Sequence, residues 1–138
     1  MIVDTSGLLA ASDDQETVHG DVLAALAACR PPLVVSPLVV AEVDHLLRRR
    51  RGGAAARAVL RSLEQPGFAV ATLDGHDLSR AADIDERYAD LRLGVVDVSL
   101  VVLAERYDTV ELLTLDERHF RAVTPLQGGA FRLLPVDA

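Results

Sequence analysis

The sequence predicts an α/β domain with a mostly parallel central sheet flanked by helices on both faces. Three observations carry this. Short apolar runs alternate with longer amphipathic ones from end to end of the 138 residues, the pattern of repeated β-α units. Half the residues are hydrophobic, enough to bury one sizeable core. The segment from Gly94 to Phe120 places an acid before an apolar helix and another after the apolar strand that follows. A helix of about ten residues descends roughly 15 Å, and a strand of five or six climbs back about 18 Å. Asp97 and Asp116 therefore return to one rim of the sheet, at the carboxyl ends of the strands, where open α/β sheets bind ligands.

Met1 to Val3 is a short buried strand ended by Asp4, and Thr5-Ser6-Gly7 turns the chain into the first helical turns over Leu8 to Ala11. A helix from about Glu16 to Cys29 carries Val22, Leu23, Leu26 and Ala27 at the helical period, until Pro31-Pro32 stops it. Leu33 to Val35 is the next strand. Ser36-Pro37 reads as an N-cap and first helical residue, opening a helix to about Arg51 that Gly52-Gly53 ends. A helix over about Ala54 to Glu64, a strand from Phe68 to Leu73 and an exposed amphipathic helix from Asp77 to Leu91 follow. Helix 98–107, strand 110–115 and an edge strand over Phe131 to Leu134 complete the chain. No repeat, low-complexity segment or linker divides it, so residues 1–138 are expected to form one domain.

The net charge is −7, with 21 acidic residues against 14 basic ones, all 14 being arginine. An acidic surface is a poor partner for nucleic acid or anionic membrane unless cations or a local basic patch intervene. Cys29 is the single cysteine, which excludes a disulfide framework and a thiolate metal cluster. No apolar run reaches the roughly 18 residues of a spanning helix, and the N-terminus lacks a basic segment followed by an apolar run. A cytoplasmic protein without a membrane is expected.

Four acids interrupt apolar surroundings: Asp4, Glu42, Asp97 and Asp116. Taken singly, each aspartate reads as a helix cap. Glu42 reads as lying on the apolar stripe of its helix, with Val39, Val43 and Leu46, about a turn and a half below the rim. Taken together, four carboxylates on one rim repel one another and raise each other's pKa. With no lysine to neutralise them, a hard divalent cation, Mg²⁺ or Mn²⁺, is the expected compensation.

The motifs around these acids are Ile2-Val-Asp4-Thr-Ser-Gly-Leu-Leu-Ala10, Ser36-Pro-Leu-Val-Val-Ala-Glu42-Val43, Gly94-Val-Val-Asp97-Val-Ser-Leu-Val-Val-Leu-Ala-Glu-Arg106 and Leu113-Thr-Leu-Asp116-Glu-Arg-His-Phe120. In their order and over nearly the whole length the chain resembles the PIN-domain ribonucleases of the VapC toxin kind. Val98, where that family often has alanine, is a small departure. The resemblance implies that Asp4, Glu42, Asp97 and Asp116 are the catalytic, metal-binding acids, and that Ser6 and Thr114 support them by hydrogen bonds. It also implies an RNA substrate, cleavage to a 5′-phosphate and a 3′-hydroxyl, a homodimer and a cognate VapB-type antitoxin.

Other features are secondary. Arg48, Arg49, Arg50 and Arg51 end a helix, where they suit its dipole, and also form a basic run of the sort that contacts RNA or an antitoxin. Arg118 is a candidate phosphate contact, and His119 is read as a surface residue. Three rival readings are disfavoured. A receiver domain shares the acidic pocket but needs a lysine this chain lacks. A phosphatase of the Asp-x-Asp kind needs an acid where Ser6 stands. A PIN-like module that binds without cleaving is disfavoured because all four acids are present.

Overall fold

A computed structural model describes residues 1–138. Five strands, β1 (Ile2–Val3), β2 (Leu33–Val35), β3 (Phe68–Val70), β4 (Glu111–Leu113) and β5 (Arg132–Leu134), form one sheet in the order β3-β2-β1-β4-β5, every pairing parallel. Ile2, Val3, Val34, Val35, Leu112 and Leu113 are fully buried, as strands covered on both faces must be. From β1 the chain winds outward to β2 and β3, then returns to place β4 on the other side of β1. The winding reverses between β1 and β4, the switch point at which a crevice opens beyond the strand ends.

Seven α-helices surround the sheet: α1 (Thr5–Ser12), α2 (His19–Ala28), α3 (Pro37–Arg51), α4 (Gly53–Ser62), α5 (Gly75–Arg87), α6 (Val95–Arg106) and α7 (Glu117–Ala122). No helix is long and apolar enough to cross a membrane. Ser36 caps α3 through Leu38 N–H, with Pro37 at its first position, as its sequence predicts. Gly52, at φ 85°, supplies the left-handed turn between α3 and α4 that a side chain would resist. In α6 every residue from Val98 to Ala104 is buried, the mark of a helix enclosed on all sides.

Several boundaries depart from expectation. The residues read as a turn, Thr5-Ser6-Gly7, are the first turn of α1, because the Asp4 carboxylate caps them. The third strand stops at Val70 rather than Leu73, and the helix expected to run to Leu91 ends at Arg87, followed by a 3-10 turn over Ala89–Leu91. The edge position expected for the last strand is the observed one.

Gly7 brings α1 against β4. A Cβ there would lie 2.7 Å from the Leu113 carbonyl oxygen and 2.8 Å from Leu113 Cγ. Gly7→Ala is therefore expected to cost about 1–3 kcal/mol, the usual scale of overpacking, measured as a lower Tm. An unchanged Tm would mean that α1 lifts off the sheet freely.

Candidate active site

Asp4 leaves β1 at the switch point and is buried, at 5% exposure. Its backbone N–H still donates to Leu113 of β4, at 3.0 Å. Its carboxylate is held by three donors: Thr5 N–H to Oδ1 at 2.6 Å, and the Ser6 and Thr114 hydroxyls to Oδ2, each at 2.7 Å. Ser6 and Thr114 thus hydrogen-bond the acid they were expected to support. Thr114 Oγ1 also accepts from Asp116 N–H at 3.0 Å, and Ser6 Oγ accepts from Leu115 N–H at 2.9 Å. These bonds tie the two sides of the switch point together.

Asp97 lies in the first turn of α6, its Oδ2 facing Gly94 N–H at 3.4 Å. Burial, above all, raises its proton affinity above the ordinary carboxylate value, and the charges of Asp4 and Asp116 push the same way. The Gly94 N–H and His119 oppose the shift. Asp116 caps α7, accepting weakly from His119 N–H at 3.5 Å. Asp4 and Asp116 are both near enough to Asp97 for their charges to act on it.

Glu42 corrects the sequence reading. The buried stripe of α3 is Val39, Val43 and Leu47, and Glu42 stands beside it, exposed. It nevertheless reaches toward the rim, because its Oε2 accepts from the Thr5 hydroxyl at 2.5 Å. Thr5 therefore joins Asp4 to Glu42, a role that no motif pointed to. A second missed link is Ser36 Oγ to Ser99 Oγ, 3.0 Å apart and both buried, which pins the start of α3 to α6. Ser99 is the one polar side chain among the buried residues of α6, a signal the sequence offered.

His119 is also not where the sequence reading put it. Its side chain is only 12% exposed, and Nδ1 lies 3.1 Å from Asp97 Oδ2 and 3.3 Å from Asp116 Oδ2. Arg118 is exposed and approaches His119 Nε2 with its guanidinium, at 3.0 Å. The Arg48–Arg51 run closes α3, at the opposite end from Ser36 and the rim. Fifteen residues of helix span about 22 Å, so the run is remote from the acids. Arg48 pairs with Asp44 and Arg51 with Asp13, both on the surface.

No arginine ion pair involves Asp4, Glu42, Asp97 or Asp116; all bind other acids. The donor set is oxygen-only and anionic, the chemistry that suits a hard divalent cation. The side chains are not drawn into a closed cage, for no three His, Cys, Asp or Glu groups stand in a metal-holding arrangement. Instead Asp97 Oδ2 is turned to Gly94 and Glu42 Oε2 to Thr5, while both Asp4 oxygens accept from protein donors, Oδ1 from Thr5 N–H and Oδ2 from Ser6 and Thr114. Asp97 Oδ1 and Glu42 Oε1 remain free to turn toward a cation. The residues fit in kind, and the Asp116 side chain, 44% exposed, has room to turn.

A parallel sheet of this order, with acids at the ends of β1 and β4 and at the start of α6, defines a class. The PIN-domain family model matches residues 1–124, and the chain belongs to that family. Within it, the chain is of the VapC kind: it is 44% identical over 135 residues to Ribonuclease VapC26 of Mycobacterium tuberculosis (strain ATCC 25618 / H37Rv), spanning 98% of this chain and 100% of the relative. Two solved structures share the fold. VapC20 of Mycobacterium tuberculosis, described as a Sarcin-Ricin loop cleaving toxin, superimposes with TM-score 0.78 at 22% identity, covering 85% of this chain and 90% of that one. A toxin-antitoxin complex from Klebsiella pneumoniae gives TM-score 0.64 at 20% identity, covering 90% and 96%.

Proposed function

We propose that this chain, working over residues 1–138 as a single domain, is an endoribonuclease of the VapC kind, the toxin of a toxin–antitoxin pair, dependent on Mg²⁺ or Mn²⁺. The observation that carries the reading is the crowding at the rim. Asp97 is held above the ordinary carboxylate range by burial and by Asp4 and Asp116, while every arginine ion pair lies elsewhere. The 44% identity to a protein named as a ribonuclease supports the same reaction here.

Asp4 and Asp97 would be the central ligands, with Asp116 and Glu42 completing the shell. When bound, such a cation lowers the pKa of a water nucleophile and offsets the negative charge that develops on a phosphodiester. The chain's own part is orientation. Ser6, Thr114 and Thr5 N–H fix the Asp4 carboxylate, and the Thr5 hydroxyl holds Glu42 at its side. Arg118, exposed at the rim, would meet the RNA backbone as a bidentate phosphate donor.

The remote Arg48–Arg51 run suits the antitoxin rather than the scissile phosphate. Arg51 lines an open groove of about 520 Å³ whose walls include Leu8, Leu23, Leu26, Leu47 and Phe68. An apolar groove with a basic edge fits an amphipathic helix carrying acidic residues. A homodimer and a cytoplasmic location belong to the same proposal. The deciding experiment is incubation with a panel of cellular RNAs, with and without Mg²⁺, followed by sequencing of new 5′ ends. Discrete ends that appear only with the metal are expected; cleavage that persists in chelator would overturn the metal mechanism.

A further inference from the structure

His119 Nδ1 is buried without an aligned hydrogen-bond partner, although it stands 3.1 Å from Asp97 Oδ2 and 3.3 Å from Asp116 Oδ2. Such a group calls for a reason. The other ring nitrogen supplies one. Nε2 lies 3.0 Å from Arg118 NH2, and a guanidinium has donors but no acceptor. In the neutral ring Nε2 therefore accepts, and the proton sits on Nδ1. Nδ1 lies between the two carboxylates, within 3.1 and 3.3 Å of them.

We propose that His119 is a positioning residue: with its tautomer set by Arg118, it presents Nδ1–H jointly to the outer oxygens of Asp97 and Asp116. Both acids are steadied from behind while Asp97 Oδ1 stays free. The contact joins α6 to α7 across the rim and does for these two aspartates what the Ser6 and Thr114 hydroxyls do for Asp4. Donors of this sort orient ligating groups, and their loss commonly weakens metal binding by about 10–100-fold. The proposal rests on the reading of Asp97 and Asp116 as metal-facing acids.

Two measurements test it. In metal-free protein, ¹⁵N-resolved NMR of the His119 ring should show the Nδ1–H tautomer, which Arg118→Ala should turn into a mixture. A ring holding its proton on Nε2, or averaging freely between tautomers in the wild type, would overturn the proposal whatever the metal does. In calorimetric titration with Mn²⁺, His119→Ala should bind about 10–100-fold more weakly. His119→Asn, whose amide N–H takes the place of Nδ1–H, should stay within a few-fold of wild type. An Asn variant as weak as the Ala variant, or an Ala variant as tight as wild type, would also overturn it. A wild type that takes up no Mn²⁺ would instead sink the metal reading, with the NMR result still deciding the role of His119.

Discussion

Asp97→Asn is expected to reduce RNA cleavage by at least about 10²–10³-fold, the scale on which one preorganised charge-stabilising group acts, and to leave the metal-free protein as stable as wild type or more so. The second half follows from the sign of the Asp97 shift. Its proton affinity is raised in the folded protein, so the native state holds that proton more tightly than the unfolded chain does. Folding then favours the protonated form. The benefit is whole below the ordinary carboxylate pKa of 3.8 and is lost as pH rises through the higher native value. At neutral pH the wild type carries a charge that burial disfavours and asparagine lacks, while the asparagine amide oxygen can still accept from Gly94 N–H. Thermal melts in chelator at pH 7 and near pH 4 check this: the variant should match or exceed wild type at pH 7 and lose that advantage at the lower pH. Adding Mg²⁺ at a hundredfold excess over its Kd should stabilise wild type by about 2.7 kcal/mol. Equal Tm gains for the two proteins would remove Asp97 from the ligand set.

Asp4→Ala should abolish cleavage to the same degree but, unlike Asp97→Asn, should also weaken the fold. Asp4 is not merely crowded; it is the acceptor for Thr5 N–H, Ser6 Oγ and Thr114 Oγ1. Truncation leaves those donors facing a hole at the junction of β1, β4 and α1, and removes the α1 cap. A loss of about 2–4 kcal/mol is expected, since each buried group left without its partner costs about 1–3 kcal/mol. Urea unfolding without metal is the measurement. A variant as stable as wild type would show that solvent or neighbouring groups replace the carboxylate at no cost. The two substitutions thus separate an acid that the fold needs from one that the fold tolerates.

Much of this was legible in the chain. Asp97, Asp116 and the helix and strand between them follow from length matching alone, because a parallel sheet must return its connections to the same rim. Asp4 and Asp116 as caps, and Ser36-Pro37 as a helix start, are local events that sequence encodes directly. What escaped depends on tertiary angle. Glu42 and the true buried stripe of α3 differ by one position around the helix, which periodicity cannot resolve when Leu46 and Leu47 are both apolar. His119 is one turn beyond Asp116 and so shares its side of α7, but only the placement of α6 tells that this side faces Asp97. Gly7 reads as a turn residue because nothing in the sequence says that β4 will pass beneath it.

The pairing of β1 with β4 also sets when the acidic rim can form. Asp4 N–H and Thr114 Oγ1 join Asp4 to partners more than a hundred residues further along the chain. A nascent chain carries Asp4 and Glu42 well before it has the strand that completes the support of Asp4. The acidic rim is thus assembled only after β4 has docked against β1, so a fragment that stops short of β4 carries Asp4 without its support.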